Sequence, residues 1–99
     1  MVAPYEHLDS LVAAKMDQLS EMMQLSQKII TVLQKLYRPD GVNLGMNLGA
    51  AAGAGIREHF HLHVVPRWIG DANFVSVVGE TRVLPEELQT TYKRMKSEW

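Results

Sequence analysis

His59-Phe60-His61-Leu62-His63-Val64-Val65-Pro66 alternates imidazole with apolar side chains through three pairs, then runs into an apolar residue and a proline. Successive residues of an extended strand point to opposite sides of its sheet. A period of two therefore puts His59, His61 and His63 on one face and Phe60, Leu62 and Val64 on the other. The segment is predicted as a strand over 59–65 with a buried apolar face, closed by Pro66, which has no N–H to give to a ladder. At a rise of ~3.3 Å per residue the histidines stand roughly 6.6 Å apart, near enough to act together on one phosphate group and its neighbours.

Working outward, Val42, Leu44, Met46 and Leu48 alternate with Asn43, Gly45 and Asn47, which predicts a second strand over 42–48. Paired with their apolar sides together, the two strands gather Asn43, Asn47, His59, His61 and His63 on one polar face. The apolar face needs a cover. Between Lys15 and Tyr37, apolar residues from Met16, Leu19, Met22 and Met23 to Ile29, Ile30, Leu33, Leu36 and Tyr37 recur at intervals of three and four. That is a long helix with one buried stripe, in which Met16, Met22 and Met23 are read as packing residues. Arg38-Pro39-Asp40-Gly41 ends it, with the glycine as the natural place for a positive φ. Residues 1–4 read as the end of a strand and 5–14 as a connection carrying His7, while 74–78 is a further short strand candidate and Pro85-Glu86-Glu87 opens a terminal helix. The fold class is α+β: a small antiparallel sheet, one long helix packed on it and a short C-terminal helix, within a single domain over 1–99.

The 99 residues are 46% hydrophobic and 21% charged, the composition of a soluble globular chain. A formal charge of −1 without any basic cluster argues against polymeric nucleic acid as a partner. No apolar run is long enough to cross a bilayer and no signal-like segment opens the chain, so a cytoplasmic protein without a membrane partner is expected. The absence of cysteine removes disulfides, thiolate metal sites and cysteine nucleophiles. Histidine remains, a residue type that titrates near pH ~6.5 and so offers both a neutral nucleophile and an acid at neutral pH. Ahead of the histidines, Gly49 to Gly55 holds no side chain larger than methyl, which lets backbone N–H groups approach an anion closely. Arg67, just past the strand, is placed to add a charge-assisted contact to a phosphate chain. A rival reading is a metal site, since alternating histidines can supply two ligands to a zinc ion and His7 a third. Neither zinc nor magnesium is otherwise indicated, and no cofactor is required.

His59-Phe60-His61-Leu62-His63-Val64-Val65 resembles the motif of the histidine triad (HIT) family, with Gly53-Ala54-Gly55 ahead of it as that family's small loop. Gly41 to Gly49, Val65-Pro66-Arg67-Trp68 and Gly70-Asp71-Ala72-Asn73-Phe74 are similar to the branch containing bacterial diadenosine tetraphosphate phosphorylases and dinucleoside polyphosphate hydrolases. The resemblance implies an enzyme of nucleotide hydrolysis or transfer that works through a covalent nucleotidyl-histidine intermediate. In it His61 is the nucleophile, His59 orients it, His63 contacts the phosphate or leaving group, and His7 reaches the triad through space. Asn47, Gly53, Ala54, Gly55 and Arg67 are the substrate-binding candidates. Gly55 stands where many relatives have serine or glutamine, which leaves water and phosphate as alternative acceptors. The resemblance also implies that the family's usual first strands are lacking before Met1. From this follow an unpaired edge near residues 1–4, a homodimer formed by strand exchange or otherwise, and a rival reading as an interaction module that keeps the fold without activity.

Overall fold

The computed structural model describes residues 1–54, 59–71 and 86–99. Among these residues two helices, α1 (Met16–Tyr37) and α2 (Leu88–Ser97), accompany a two-stranded antiparallel sheet of β1 (Gly41–Gly45) and β2 (His63–Arg67). Short 3-10 turns occupy Leu11–Ala13 and Ala50–Ala52. This is the expected α+β arrangement. The strand expected at 74–78, together with Pro85 and Gly55, lies outside the described residues.

α1 starts where the Lys15 N–H donates to the Gln18 side-chain oxygen at 2.9 Å, and Asp17 adds a negative charge to the first turn. It ends with Arg38 in the left-handed region at φ 47°, its N–H on the Gln34 carbonyl. The positive φ falls on Arg38 rather than on Gly41, because Pro39 cannot extend the helix and the chain must turn before it. Gly41 is instead the first residue of β1. The buried face of α1 also differs from the expected stripe. Met22, Ser26, Val32 and Leu33 are buried, whereas Met16 and Met23 are 79% and 55% exposed. Met23 lies one residue, about 100° of helix rotation, from Met22, so the two cannot share the centre of one face. Ser26 occupies that face at no polar cost because its hydroxyl donates to the Met22 carbonyl at 2.8 Å.

The sheet register runs from Gly41 opposite Arg67 to Gly45 opposite His63. Both strands are displaced from expectation: β1 stops at Gly45 and leaves Asn47 outside, and β2 begins at His63 and runs through Pro66 to Arg67. Pro66 fits because hydrogen bonding alternates along a strand. Leu62 exchanges both backbone bonds with Val2, at 2.9 and 2.7 Å, on the side away from β1. Val64 and Pro66 face that same side, so the missing N–H of Pro66 removes nothing from the β1 ladder. Residues 1–4 thus contribute a bridge at Val2 rather than a strand. Val2, Met22, Phe60 and Leu62 form the core, with Leu8, Leu25, Ile29 and Met46 packed around it.

α2 is tied to α1 through Glu86. Its carboxylate accepts from the Tyr37 hydroxyl at 2.5 Å, from Thr91 at 2.7 Å and from Arg94 at 2.5 Å. Lys35 pairs with Glu98, and the Lys28 ammonium lies 4.2 Å from the Trp99 ring. The Tyr37, Thr91 and Arg94 donors hold the Glu86 carboxyl down at about 2, below the ordinary 4.5. A depressed folded-state value means that the contribution to stability is full above pH 4.5 and is lost as the pH falls toward 2. Denaturation of the wild type and of Glu86→Gln should therefore differ most near pH 6, and the gap should close by pH ~2. A gap of constant size would show that the carboxylate charge is not what holds α2.

Candidate active site

The apolar half of the histidine segment is what fixes the polar half. Phe60 and Leu62 are 3% and 4% exposed, packed beneath the segment against α1. The Phe60 N–H donates to the Leu8 carbonyl at 2.8 Å, and Leu62 is bridged to Val2. His59 and His61 therefore precede β2 on extended backbone held from the N-terminal side, and only His63 lies within the strand. All three histidines are half-buried, as the period of two requires.

The four histidines form two pairs. The Nδ1 atoms of His59 and His7 lie 3.2 Å apart with the rings nearly perpendicular, so one ring donates and the other accepts. The His61 and His63 rings are 4.6 Å apart between centroids, edge to face. His7 thus reaches the triad through His59, and the ring set edge-on against His61 is that of His63.

Asn47 follows β1 and meets the small-residue loop. Gly53 has φ +86°, and a Cβ there would stand 3.7 Å from the Asn47 amide nitrogen. Ala54 N–H returns to the Gly49 carbonyl at 3.2 Å, closing the turn around Ala50–Ala52. Gly53→Ala should cost about 1 kcal/mol or more in denaturant unfolding, because an L side chain is strained at that φ. Gly45→Ala, opposite His63 with open space at its Cβ position, should be tolerated to within ~1 kcal/mol. Equal costs at the two glycines would refute the assignment of a strained turn.

Arg67 shares the polar face with His63 and Asn43, but its guanidinium is engaged. Nε and Nη2 donate to the two Asp71 oxygens at 2.6 and 2.7 Å, and Nη1 donates to Asn43 Oδ1 at 2.8 Å. The neighbouring carboxylate pushes the Arg67 pKa further up. A phosphate at this position has to compete with that fork. Asp71 is the residue that sequence reasoning passed over. The signal was available in an arginine and an aspartate four apart across Gly70, a glycine at φ +83°.

Among the described residues, no three histidine, aspartate or glutamate side chains are grouped to hold a metal ion. His7 and His59 offer two nitrogens, one ligand fewer than a catalytic zinc takes from protein. No helix among these residues is long and apolar enough to cross a membrane.

The HIT domain family model matches residues 1–68, which contain the whole histidine segment. The chain is 42% identical to an AP-4-A phosphorylase of Mycobacterium tuberculosis over all of its own length and 51% of that protein. It is 32% identical to an uncharacterized HIT-like protein of Mycoplasma genitalium, over 90% of this chain and 64% of the other. The chain thus spans about half the length of the phosphorylase that it matches. Among solved structures, a zinc-bound histidine triad family protein from Mycobacterium smegmatis superposes with a TM-score of 0.69 at 25% identity, covering 96% of this chain and 64% of that one. A hypothetical histidine triad nucleotide-binding protein from Sulfolobus tokodaii superposes with a TM-score of 0.66 at 22% identity, over 96% and 62%, which speaks for the fold alone. With the family model running through the histidine segment and its buried Phe60–Leu62 underside, the chain belongs to the HIT family.

Proposed function

We propose that the chain processes nucleotides by transferring a nucleotidyl group from a dinucleoside polyphosphate, or a related nucleotide phosphate, through a covalent intermediate on His61. What carries the reading is the alternation of half-buried histidines over buried Phe60 and Leu62, which presents His61 and His63 as a fixed pair. The similarity to an AP-4-A phosphorylase supports the substrate class.

On diadenosine tetraphosphate the neutral His61 ring attacks the α-phosphorus. A P–N bond forms, the bond from that phosphorus to the bridging oxygen of the β-phosphate breaks, and ATP leaves. His63, against the His61 ring, is the acid or hydrogen-bond donor for the departing oxygen. His59, buttressed by His7, orients the histidine segment. The loop Gly49–Ala54 and Asn47 form the phosphate-binding side, with Arg67 held in reserve by Asp71. Water then releases AMP, or phosphate releases ADP, and His61 is regenerated. Without Gly55 chemistry to discriminate between them, the acceptor is decided by product analysis.

The test is intact-mass spectrometry after brief mixing with diadenosine tetraphosphate and a quench without acid, together with product analysis with and without phosphate. An adduct of one adenylyl group, and ADP formed only with phosphate, would establish a phosphorylase. AMP formed in either case would establish a hydrolase. A folded chain with no adduct, product or binding would favour the interaction-module reading.

A further inference from the structure

The polar face of the sheet runs on past the histidines as an open strip. His63 stands at one end of β2, and Arg67, four residues on and so on the same side of the strand, at the other, roughly 13 Å away. Opposite these two residues β1 carries Gly45 and Gly41, and a Cβ at either would meet nothing within 4 Å. Asn43 lies between the glycines, opposite Val65. The floor of the strip is therefore bare on the β1 side at both ends and carries one amide and one valine side chain at its middle.

The donors along the strip are fixed in place. Asp71 takes Nε and Nη2 of Arg67 at 2.6 and 2.7 Å, and its carboxylate is itself held by the Trp68 N–H at 3.2 Å across the turn at Gly70. Nη1 donates to Asn43 Oδ1 at 2.8 Å, which draws the guanidinium back along the sheet toward Asn43 and so toward His63. A guanidinium has five N–H groups. The bonds to Asp71 and Asn43 leave one on Nη1 and one on Nη2 without an acceptor among the described residues, on a side chain that is 43% exposed. The same bond turns the Asn43 amide so that its oxygen meets Arg67, and its NH2 group has no acceptor among the described residues.

A row of donors beginning at a histidine suits an anion with several oxygens in a row. From His63 to the Asn43–Val65 pair is roughly 6.6 Å along the strand, about the reach of two phosphoanhydride links. We propose that this strip is the track for the phosphate chain on the leaving-group side of the nucleotide, and that Asn43 and Arg67 select its length, a role that rests on the nucleotide-processing reading of His61 and His63. A chain with one phosphate beyond the α-position ends beside His63, whereas a longer one reaches the Asn43 amide and the Arg67 guanidinium. The Asp71 charge sits behind that guanidinium and limits the gain, so the track sorts chains by length without holding any of them tightly.

Equilibrium binding of AMP, ADP, ATP and adenosine 5′-tetraphosphate to the 99-residue chain, at low and at raised ionic strength, is the test. Affinity should rise by about tenfold from ADP to the tetraphosphate, and the rise should shrink with salt. Arg67→Gln should flatten the series. Asn43→Asp separates contact with phosphate from a structural role: the new carboxylate still accepts from Arg67, while its charge should make affinity fall as phosphates are added. A wild-type series that does not depend on phosphate number overturns the proposal, and so does an Asn43→Asp series that rises as the wild type does. A chain that binds none of the four overturns it together with the nucleotide reading. Length-dependent binding without a His61 adduct would keep the track and remove the catalytic role, and an adduct with a flat series would do the opposite.

Discussion

Replacing His61 with alanine is expected to lower turnover of diadenosine tetraphosphate by at least about a thousandfold, a loss of ~4 kcal/mol of transition-state stabilisation, and to abolish the covalent adduct. The loss should appear in kcat with KM little changed, because a nucleophile acts in the reacting state while the loop proposed to bind phosphate would hold the ground state. His7→Ala provides the graded comparison. It deletes the ring 3.2 Å from His59 and touches His61 only through that neighbour, so its effect should be a smaller fall in rate with the adduct still formed. His63→Asn keeps a hydrogen-bond donor beside His61 without an ionisable group, and should slow the release of poor leaving groups more than good ones. If His61→Ala turns over within tenfold of the wild type, the nucleophile is misassigned. If His7→Ala is as damaging as His61→Ala, the two imidazole pairs act as one unit.

The order of these effects was legible in the sequence only in part. The period of two at 59–65 foretold the division between buried Phe60 and Leu62 and the histidine face, because alternation is a local property that tertiary structure here reinforces. How the rings pair was not legible. That His59 meets His7 depends on the chain from Val2 to Leu8 running beside the segment, a contact across 52 residues that no spacing rule encodes. The strand boundaries slipped for a related reason. β1 and β2 exist where both partners are in register, from Gly41 opposite Arg67 to Gly45 opposite His63, and each strand's own alternation continues past that overlap. On α1, periodicity located the helix to within one residue but assigned Met16 and Met23 to the core, because apolar residues were counted without asking which of them shared the centre of a face. Ser26 went unnoticed there, since a hydroxyl that bonds its own helix reads as polar in sequence and behaves as small in the core.

The second large effect is expected from a residue with no chemistry of its own. Phe60→Ala should destabilise the chain by about 3–5 kcal/mol, the usual cost of emptying a buried aromatic site, against a total stability of ~5–15 kcal/mol for a domain. Phe60 is 3% exposed and packs with Val2, Met22 and Leu62, so the cavity would open directly beneath the backbone that carries His59 and His61. The same substitution loosens the contact with the N-terminal segment that is made by the Phe60 N–H and the Leu8 carbonyl. Catalysis should therefore fall before the fold is lost: at temperatures where circular dichroism still reports native helix, kcat should already be reduced and the His61 adduct should form slowly. Phe60→Leu separates the two contributions, keeping most of the apolar volume at a cost of about 1–2 kcal/mol and restoring most of the rate. Urea unfolding alongside single-turnover kinetics on both variants makes the comparison. Were Phe60→Ala to keep wild-type kcat while losing several kcal/mol, the histidine face would owe its geometry to β2 and the N-terminal bridge alone, and the core beneath it would serve stability only.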